Sequence, residues 1–144
     1  MIKISHRGNI SCPNQNLENC PDYILNALKQ GFNCEVDVFL DGDKFFLGHD
    51  YPKYEIEESF LENEKLWCHA KNLSALYKMV KNPKIHSFWH ENDNFTLTSK
   101  NFIWTYPERP ITDKSILLVR NPFEFLMIRS KNLAGICSDY ISKF

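Results

Sequence analysis

The stretch Cys34-Glu35-Val36-Asp37-Val38-Phe39-Leu40 constrains this chain more than any other. Its residues alternate, so in an extended conformation Glu35 and Asp37 share one face while Val36 and Val38 share the other. The β-branched and aromatic members favour a strand, and their face has to be covered by a core. The acidic face makes the harder demand. Two neighbouring carboxylates are unremarkable on a solvated sheet, but in an interior they need cationic partners, because an unpaired buried charge carries a heavy desolvation penalty.

Polar clusters stand on either side of this segment in the sequence. Ile2 to Ser5 reads as a short strand that stops at His6-Arg7-Gly8. Asp41-Gly42-Asp43 signals a turn, and Phe45 to Gly48 then reads as a strand ending at His49-Asp50. Between the first two strands, Ile24, Leu25 and Leu28 at helical spacing, closed by Gly31, predict a helix over Pro21 to Gln30. Further strands are predicted over Leu66 to Ala70, Ile85 to Trp89, Phe102 to Thr105, Ile116 to Val119 and Gly135 to Ser138, eight strands in all. Helical patterns occupy Leu73 to Val80, Pro122 to Arg129 and a short stretch near Glu57 to Leu61, with none between Phe88 and Lys114.

Short strands that carry polar residues at their far ends, several of them followed by helices, predict an α/β fold: a compact (β/α)8 barrel of the TIM type with several helices shortened or missing. Such barrels typically need about 200 residues or more, so the second half would have to be stripped to short connections. An open α/β sheet is the alternative. With 144 residues and no repeat, linker or low-complexity tract, residues 1–144 are expected to form a single domain.

Composition narrows the function classes. Seventeen basic residues against 18 acidic ones leave a net charge of −1, too little positive field to hold a nucleic acid through its phosphates. No long apolar run is present, which argues against a signal peptide or membrane span and makes the cytoplasm the expected compartment. The five cysteines are odd in number and contain no CxxC pair, as expected for reduced thiols rather than a disulfide framework or zinc ribbon. Trp67, Trp89 and Trp104 lie on or beside predicted strands and are read as core.

If the three polar strand ends converge, Glu35 and Asp37 are suited to hold a hard divalent cation through oxygen. Arg7 offers a planar fork of donors that matches phosphate oxygens. His6 and His49, with ordinary pKa values near ~6.5, are suited to act as general base and general acid around neutrality. His90 and Glu91 are weaker candidates for substrate contact should their strand end face the same pocket, and His86 is read as structural.

The order and spacing of His6-Arg7-Gly8, Glu35-Val36-Asp37 and His49-Asp50 resemble the HR(G), ExD and HD elements of the glycerophosphodiester phosphodiesterase family. Leu17-Glu18-Asn19 is similar to that family's PEN(T) element, and Gly135-Ile136-Cys137-Ser138-Asp139-Tyr140 to its closing strand. The resemblance implies a (β/α)8 barrel, His6 and His49 as the acid/base pair, Arg7 and Lys71 as phosphate-side cations, and Glu35 and Asp37 as metal ligands. Where the family places a third glutamate ligand, two residues before the lysine, this chain has His69. Imidazole suits manganese, iron, zinc or nickel better than magnesium or calcium. The long insertion that follows HD in the family is also missing, leaving room for about a turn of helix before Leu66.

The expected cofactor is thus a divalent ion (Mg²⁺, Ca²⁺ or Mn²⁺) and the expected partner a small phosphodiester, cleaved by metal-assisted hydrolysis to sn-glycerol 3-phosphate and an alcohol. Two alternatives share the motifs: a catalytically silent module that binds phosphate esters, and a phospholipase D-like lyase that forms a cyclic phosphate.

Overall fold

The computed structural model describes residues 1–128 and 131–144. The alternation around Glu35 is realised in a long strand, Asn33–Asp41, which is the second of the chain and is called β2. Its Cys34, Val36 and Val38 enter a hydrophobic core together with Ile24, Ala75 and Met79 of two helices, while Glu35 and Asp37 turn to the opposite, concave face of the sheet. Each fully buried Val, Leu or Ile there contributes about 1.5–3 kcal/mol.

Around this strand the sheet grows in both directions. β1 (Ile2–His6) lies parallel to its first half on one side, and β5 (Leu66–Ala70) lies parallel to it on the other. Beyond the end of β1, β3 (Lys44–Leu47) takes over as an antiparallel neighbour, turned back at Gly42, whose φ of 57° is one that glycine adopts without strain. β4 (Tyr54–Ile56) pairs antiparallel with β3, and β6 (Ser87–Trp89) parallel with β5. On the far side of β1 come β10 (Gly135–Ser138), β9 (Ser115–Leu118) and β8 (Ile103–Thr105), all parallel, with β7 (Phe95–Leu97) antiparallel at the edge.

Helices α1 (Pro21–Lys29) and α3 (Leu73–Met79) pack on the convex face. Proline at the start of α1 suits a position that needs no N–H, and α3 begins at Asn72, whose side chain accepts from Ala75 N. α2 (Glu58–Leu61) is a single turn, and α4 (Pro122–Leu126) is a short helix capped by Asn121. Of the helix predicted over Pro122 to Arg129, the stretch to Leu126 forms, and Arg129 itself lies outside the described residues.

The closed (β/α)8 barrel expected from the sequence is not the fold. All ten strands join one curled, mixed sheet, and eight of them form the path β4-β3-β2-β1-β10-β9-β8-β7, with β5 and β6 branching from β2. Among the described residues no ladder joins β6 to β7 or β8, so the sheet forms a half-barrel. The reason lies in the connections. Among the described residues only α1 and α3 exceed five residues, and the chain passes from β8 to β9 with no helix, while β4 and β7 enter as antiparallel edges where a barrel would need helix-linked parallel strands.

The concave face has two layers. Ile4, Trp67, Phe88, Trp104, Ile116 and Cys137 form an apolar cluster contributed by six strands. Two residues further along several of the same strands come His6, His69 and, just past the end of β10, Asp139. Apolar side chains thus form a floor on which the polar ones stand.

Close approach of β1 and β10 depends on Gly135, where a Cβ would sit 2.5 Å from the Ile2 carbonyl oxygen and 2.8 Å from Ile2 Cβ. Gly135→Ala is expected to lower stability by roughly 2–3 kcal/mol in denaturant titration, through a shifted midpoint at unchanged slope. Wild-type stability in that variant would contradict the packing described.

Candidate functional site

Strand register assembles the centre of the site. The β1–β2 ladder sets His6 beside Glu35, and the β2–β5 ladder sets Asp37 beside His69. Glu35, Asp37 and His69 are only 2, 0 and 8% exposed, and one ligand atom from each lies within 4.8 Å of the others. His69 Nε2 is 3.0 Å from the His90 carbonyl oxygen, which can only accept, so Nε2 carries a proton and Nδ1 faces the carboxylates. Nδ1 lies 3.1 Å from Asp37 Oδ1 and 3.6 Å from Glu35 Oε1. Asp37 Oδ1 and Glu35 Oε2 nevertheless accept no well-directed hydrogen bond from the described residues. Two orphaned carboxylate oxygens and an imidazole held through its other nitrogen by a backbone carbonyl form a donor set that fits a metal ion.

The turn after β1 brings in the cations. Arg7 has a φ of 54° and Gly8 one of 93°, and a Cβ on Gly8 would meet the Tyr23 ring at 2.6 Å, so this reversal needs glycine. Arg7 Nη1 donates to Glu18 Oε2 at 3.1 Å, and its Nε lies 2.9 Å from Asp37 Oδ2. Lys71 Nζ approaches Asp37 Oδ1 to 3.7 Å from the end of β5. The buried Asn19 locks Asp37 reciprocally: its Nδ2 donates to Asp37 Oδ2 and its Oδ1 accepts from Asp37 N, both at 2.9 Å.

His6 is oriented from behind by Asp139, whose Oδ1 lies 2.8 Å from His6 Nδ1, while His6 Nε2 faces Glu35 Oε2 at 3.8 Å. Asn9 Nδ2 donates to both Asp139 Oδ1 and Glu18 Oε1. Glu18, Glu35, Asp37 and Asp139 thus surround the fixed cations Arg7 and Lys71, leaving two negative charges uncompensated when both imidazoles are neutral.

The titration behaviour follows from that imbalance. Burial alone depresses the His69 imidazole, but Asp37 and Glu35 outweigh it and push the pKa up to about 9. His6 likewise resists burial and is raised, by the hydrogen bond to Asp139 and the charge of Glu35. Burial would raise Asp37, yet His69 and Arg7 hold its carboxyl far below the usual range. Asp139 is lowered too, because its contacts with His6 overcome desolvation.

All seven residues singled out from the sequence meet at this end of the sheet. His6, Arg7, Glu35, His49, His69 and Lys71 line one cavity, and Asp37 lies buried behind them against His69. His49 stands apart from the buried cluster at the mouth, 41% exposed, with Nδ1 2.6 Å from Asp50 Oδ1. His90 and Glu91 line the same cavity. His86 does not: it is buried against Trp67 with ring centroids 4.0 Å apart, its Nε2 is 2.8 Å from Thr98 Oγ1, and burial pushes its pKa down to about 4. Trp67 and Trp104 are core as expected, whereas Trp89 is half-buried and reaches the cavity edge.

Asp139 and Asn9 were given no role in the sequence reading. Asp139 lies within the Gly135–Tyr140 stretch that resembles a closing strand, but its place beside His6 follows only from the β1–β10 register. Asn9 carried no signal, because its role is to join Glu18, nine residues on in an irregular loop, to Asp139 at the far end of the chain. No family model matches the chain, and neither does any curated protein or solved structure.

In metal-free protein, His69 binds its proton more tightly when folded (about 9) than at its ordinary value of 6.5, so its stabilising effect is fully present below 6.5 and is lost as pH rises through about 9. Denaturant titrations with a chelator are expected to lose up to about 3 kcal/mol across that window, and His69→Gln to flatten the loss. Stability that rises with pH over the same range would contradict the arrangement.

Proposed function

We propose that this chain is a metal-dependent phosphodiester hydrolase whose substrate is a glycerophosphodiester, cleaved to sn-glycerol 3-phosphate and an alcohol. The observation that carries the reading is the buried Glu35–Asp37–His69 cluster, which lies among more carboxylates than fixed cations and whose Glu35 and His69 line one cavity with Arg7, Lys71, His6 and His49. The order of the HR, ExD and HD elements, which resembles that of glycerophosphodiester phosphodiesterases, supports it independently of the fold. Five free thiols agree with a cytoplasmic setting, and among the described residues no helix is long and apolar enough to cross a membrane.

Glu35, Asp37 and His69 would hold the divalent cation, which when bound supplies Lewis-acid stabilisation of charge on a phosphoryl oxygen. Mn²⁺ suits this mixed nitrogen and carboxylate set better than Mg²⁺ or Ca²⁺. Arg7, anchored by Glu18 and Asp37, presents its remaining donors to the phosphate, and Lys71 adds a point charge beside it. His49, at the mouth, takes the proton from the attacking water. His6, whose pKa is raised by Asp139 and Glu35 against the effect of burial, would deliver a proton from Nε2 to the departing alkoxide. One P–O bond forms and one breaks, leaving a phosphomonoester and an alcohol.

A leaving group that needs no proton separates the two histidines. His49→Ala is expected to reduce turnover of glycerophosphodiesters and of bis(p-nitrophenyl) phosphate alike, by about 10²–10⁴-fold. His6→Ala is expected to reduce the former by as much and the latter far less, since p-nitrophenolate departs unprotonated. Wild-type rates from both variants on both substrates would overturn the proposal, and binding of phosphate esters without turnover in the wild type would assign the site to a silent binding module.

A further inference from the structure

The cavity beside the cluster is one of two that meet at the same residues. Arg7 and His49 line both. The first, of about 450 Å³, runs from the cluster toward Phe88, Trp104, Tyr106 and Leu118, with His90 and Glu91 at its edge. The second, of about 390 Å³, runs the other way and is lined by Gln15, Glu18, Asn19, Asp50, Tyr51 and Lys53. Both are of a size that holds a small organic group.

Their linings contrast. In the first lobe Phe88 and Trp104 stack with centroids 4.7 Å apart as the floor, and the rings of His90 and Tyr106, 5.4 Å apart, form an outer wall. Lys71, His90 and Glu91 give this lobe polar groups as well, but its floor and outer wall are ring surface, which favours an apolar or aromatic group over a polyol. The second lobe has no stacked aromatic floor: beside the Tyr51 ring it offers the Gln15 amide, the carboxylates of Glu18 and Asp50 and the Lys53 ammonium, groups suited to hydroxyls.

A phosphodiester carries two alcohols on one phosphorus. Resting on the phosphodiesterase reading, we propose that the substrate is an unsymmetrical diester: its phosphate sits at Arg7, a hydroxyl-rich alcohol such as glycerol occupies the Gln15–Lys53 lobe, and an apolar or aromatic alcohol occupies the Phe88–Trp104–Tyr106 lobe. Tyr106 and Gln15 are the specificity-determining residues on the two sides. Both are exposed, so replacing either leaves the core intact.

The test compares diesters whose leaving alkoxides have similar basicity, so that differences report binding rather than chemistry. Wild-type protein with Mn²⁺ is assayed on benzyl glyceryl phosphate, diglyceryl phosphate, benzyl ethyl phosphate and glycerophosphocholine. The expected kcat/KM is highest for benzyl glyceryl phosphate, by about tenfold over diglyceryl phosphate, as burial of an aryl group would give. Tyr106→Ala should raise KM for benzyl glyceryl phosphate by about tenfold and KM for diglyceryl phosphate far less, since a glyceryl group in that lobe gains little from the ring. Gln15→Ala should raise KM for benzyl glyceryl phosphate but not for benzyl ethyl phosphate, which has no hydroxyl for the polar lobe. Equal effects of both variants on every diester, or a preference for diglyceryl phosphate, would overturn the assignment and leave the hydrolase standing. A preference for glycerophosphocholine would give the aromatic lobe to a quaternary cation and overturn it as well. Turnover of none of the four would overturn the hydrolase reading and this assignment with it.

Discussion

Burial of Glu35 and Asp37 side by side is the constraint on which the rest of the molecule depends. Neither carboxylate reaches water to any extent, so opposite charge has to be brought to them within the protein. Arg7 arrives through a backbone reversal that needs glycine, Lys71 from the end of β5, and Asn19 from a backbone φ of 62°, so three local features of the chain serve Asp37, while the imidazoles of His6 and His69 face Glu35. What remains is a deficit of positive charge, which raises the proton affinity of both imidazoles and which a divalent ion would relieve more completely. Structural demand and chemical opportunity are here the same electrostatic fact.

The fold supplies the geometry with little material. Parallel strands set side by side present neighbouring ends, so residues far apart in sequence become lateral neighbours by register alone, as with His6 and Glu35 or Asp37 and His69. A complete barrel is not needed for this. A curled sheet of which β1, β2, β5 and β10 form the middle places the whole cluster, and the apolar layer beneath, from Ile4 to Cys137, excludes water from under it. Low local dielectric strengthens every interaction among the charged groups above.

How much of this could be read from the chain depended on the range over which each feature is encoded. The alternation of residues 34–40 fixed both the strand and the face that carries the carboxylates, because period and burial are local properties. The strand Leu66–Ala70 was legible for the same reason, and with it the placement of His69. Tyr54–Ile56 and Phe95–Leu97 were not, since three residues hold no period and these edge strands are made by their partners. Closure of the sheet was misread because it depends on how connections of ten or so residues pack, which no local pattern records. The histidines, Arg7 and the carboxylates were legible as a set by residue type and spacing. The orienting shell was harder: Asp139 needed the β1–β10 register to be known, and Asn9 needed coordinates.

The most direct measurement is a calorimetric titration of chelator-treated protein with Mn²⁺ at pH 7, repeated in buffers of different ionisation enthalpy and with Asp37→Asn. If Glu35, Asp37 and His69 are ligands of a single ion, the wild type binds one ion per chain and releases protons as the imidazole surrenders Nδ1, and the variant loses most of that affinity. Absence of binding by the wild type, or binding that survives Asp37→Asn unchanged, would contradict the account.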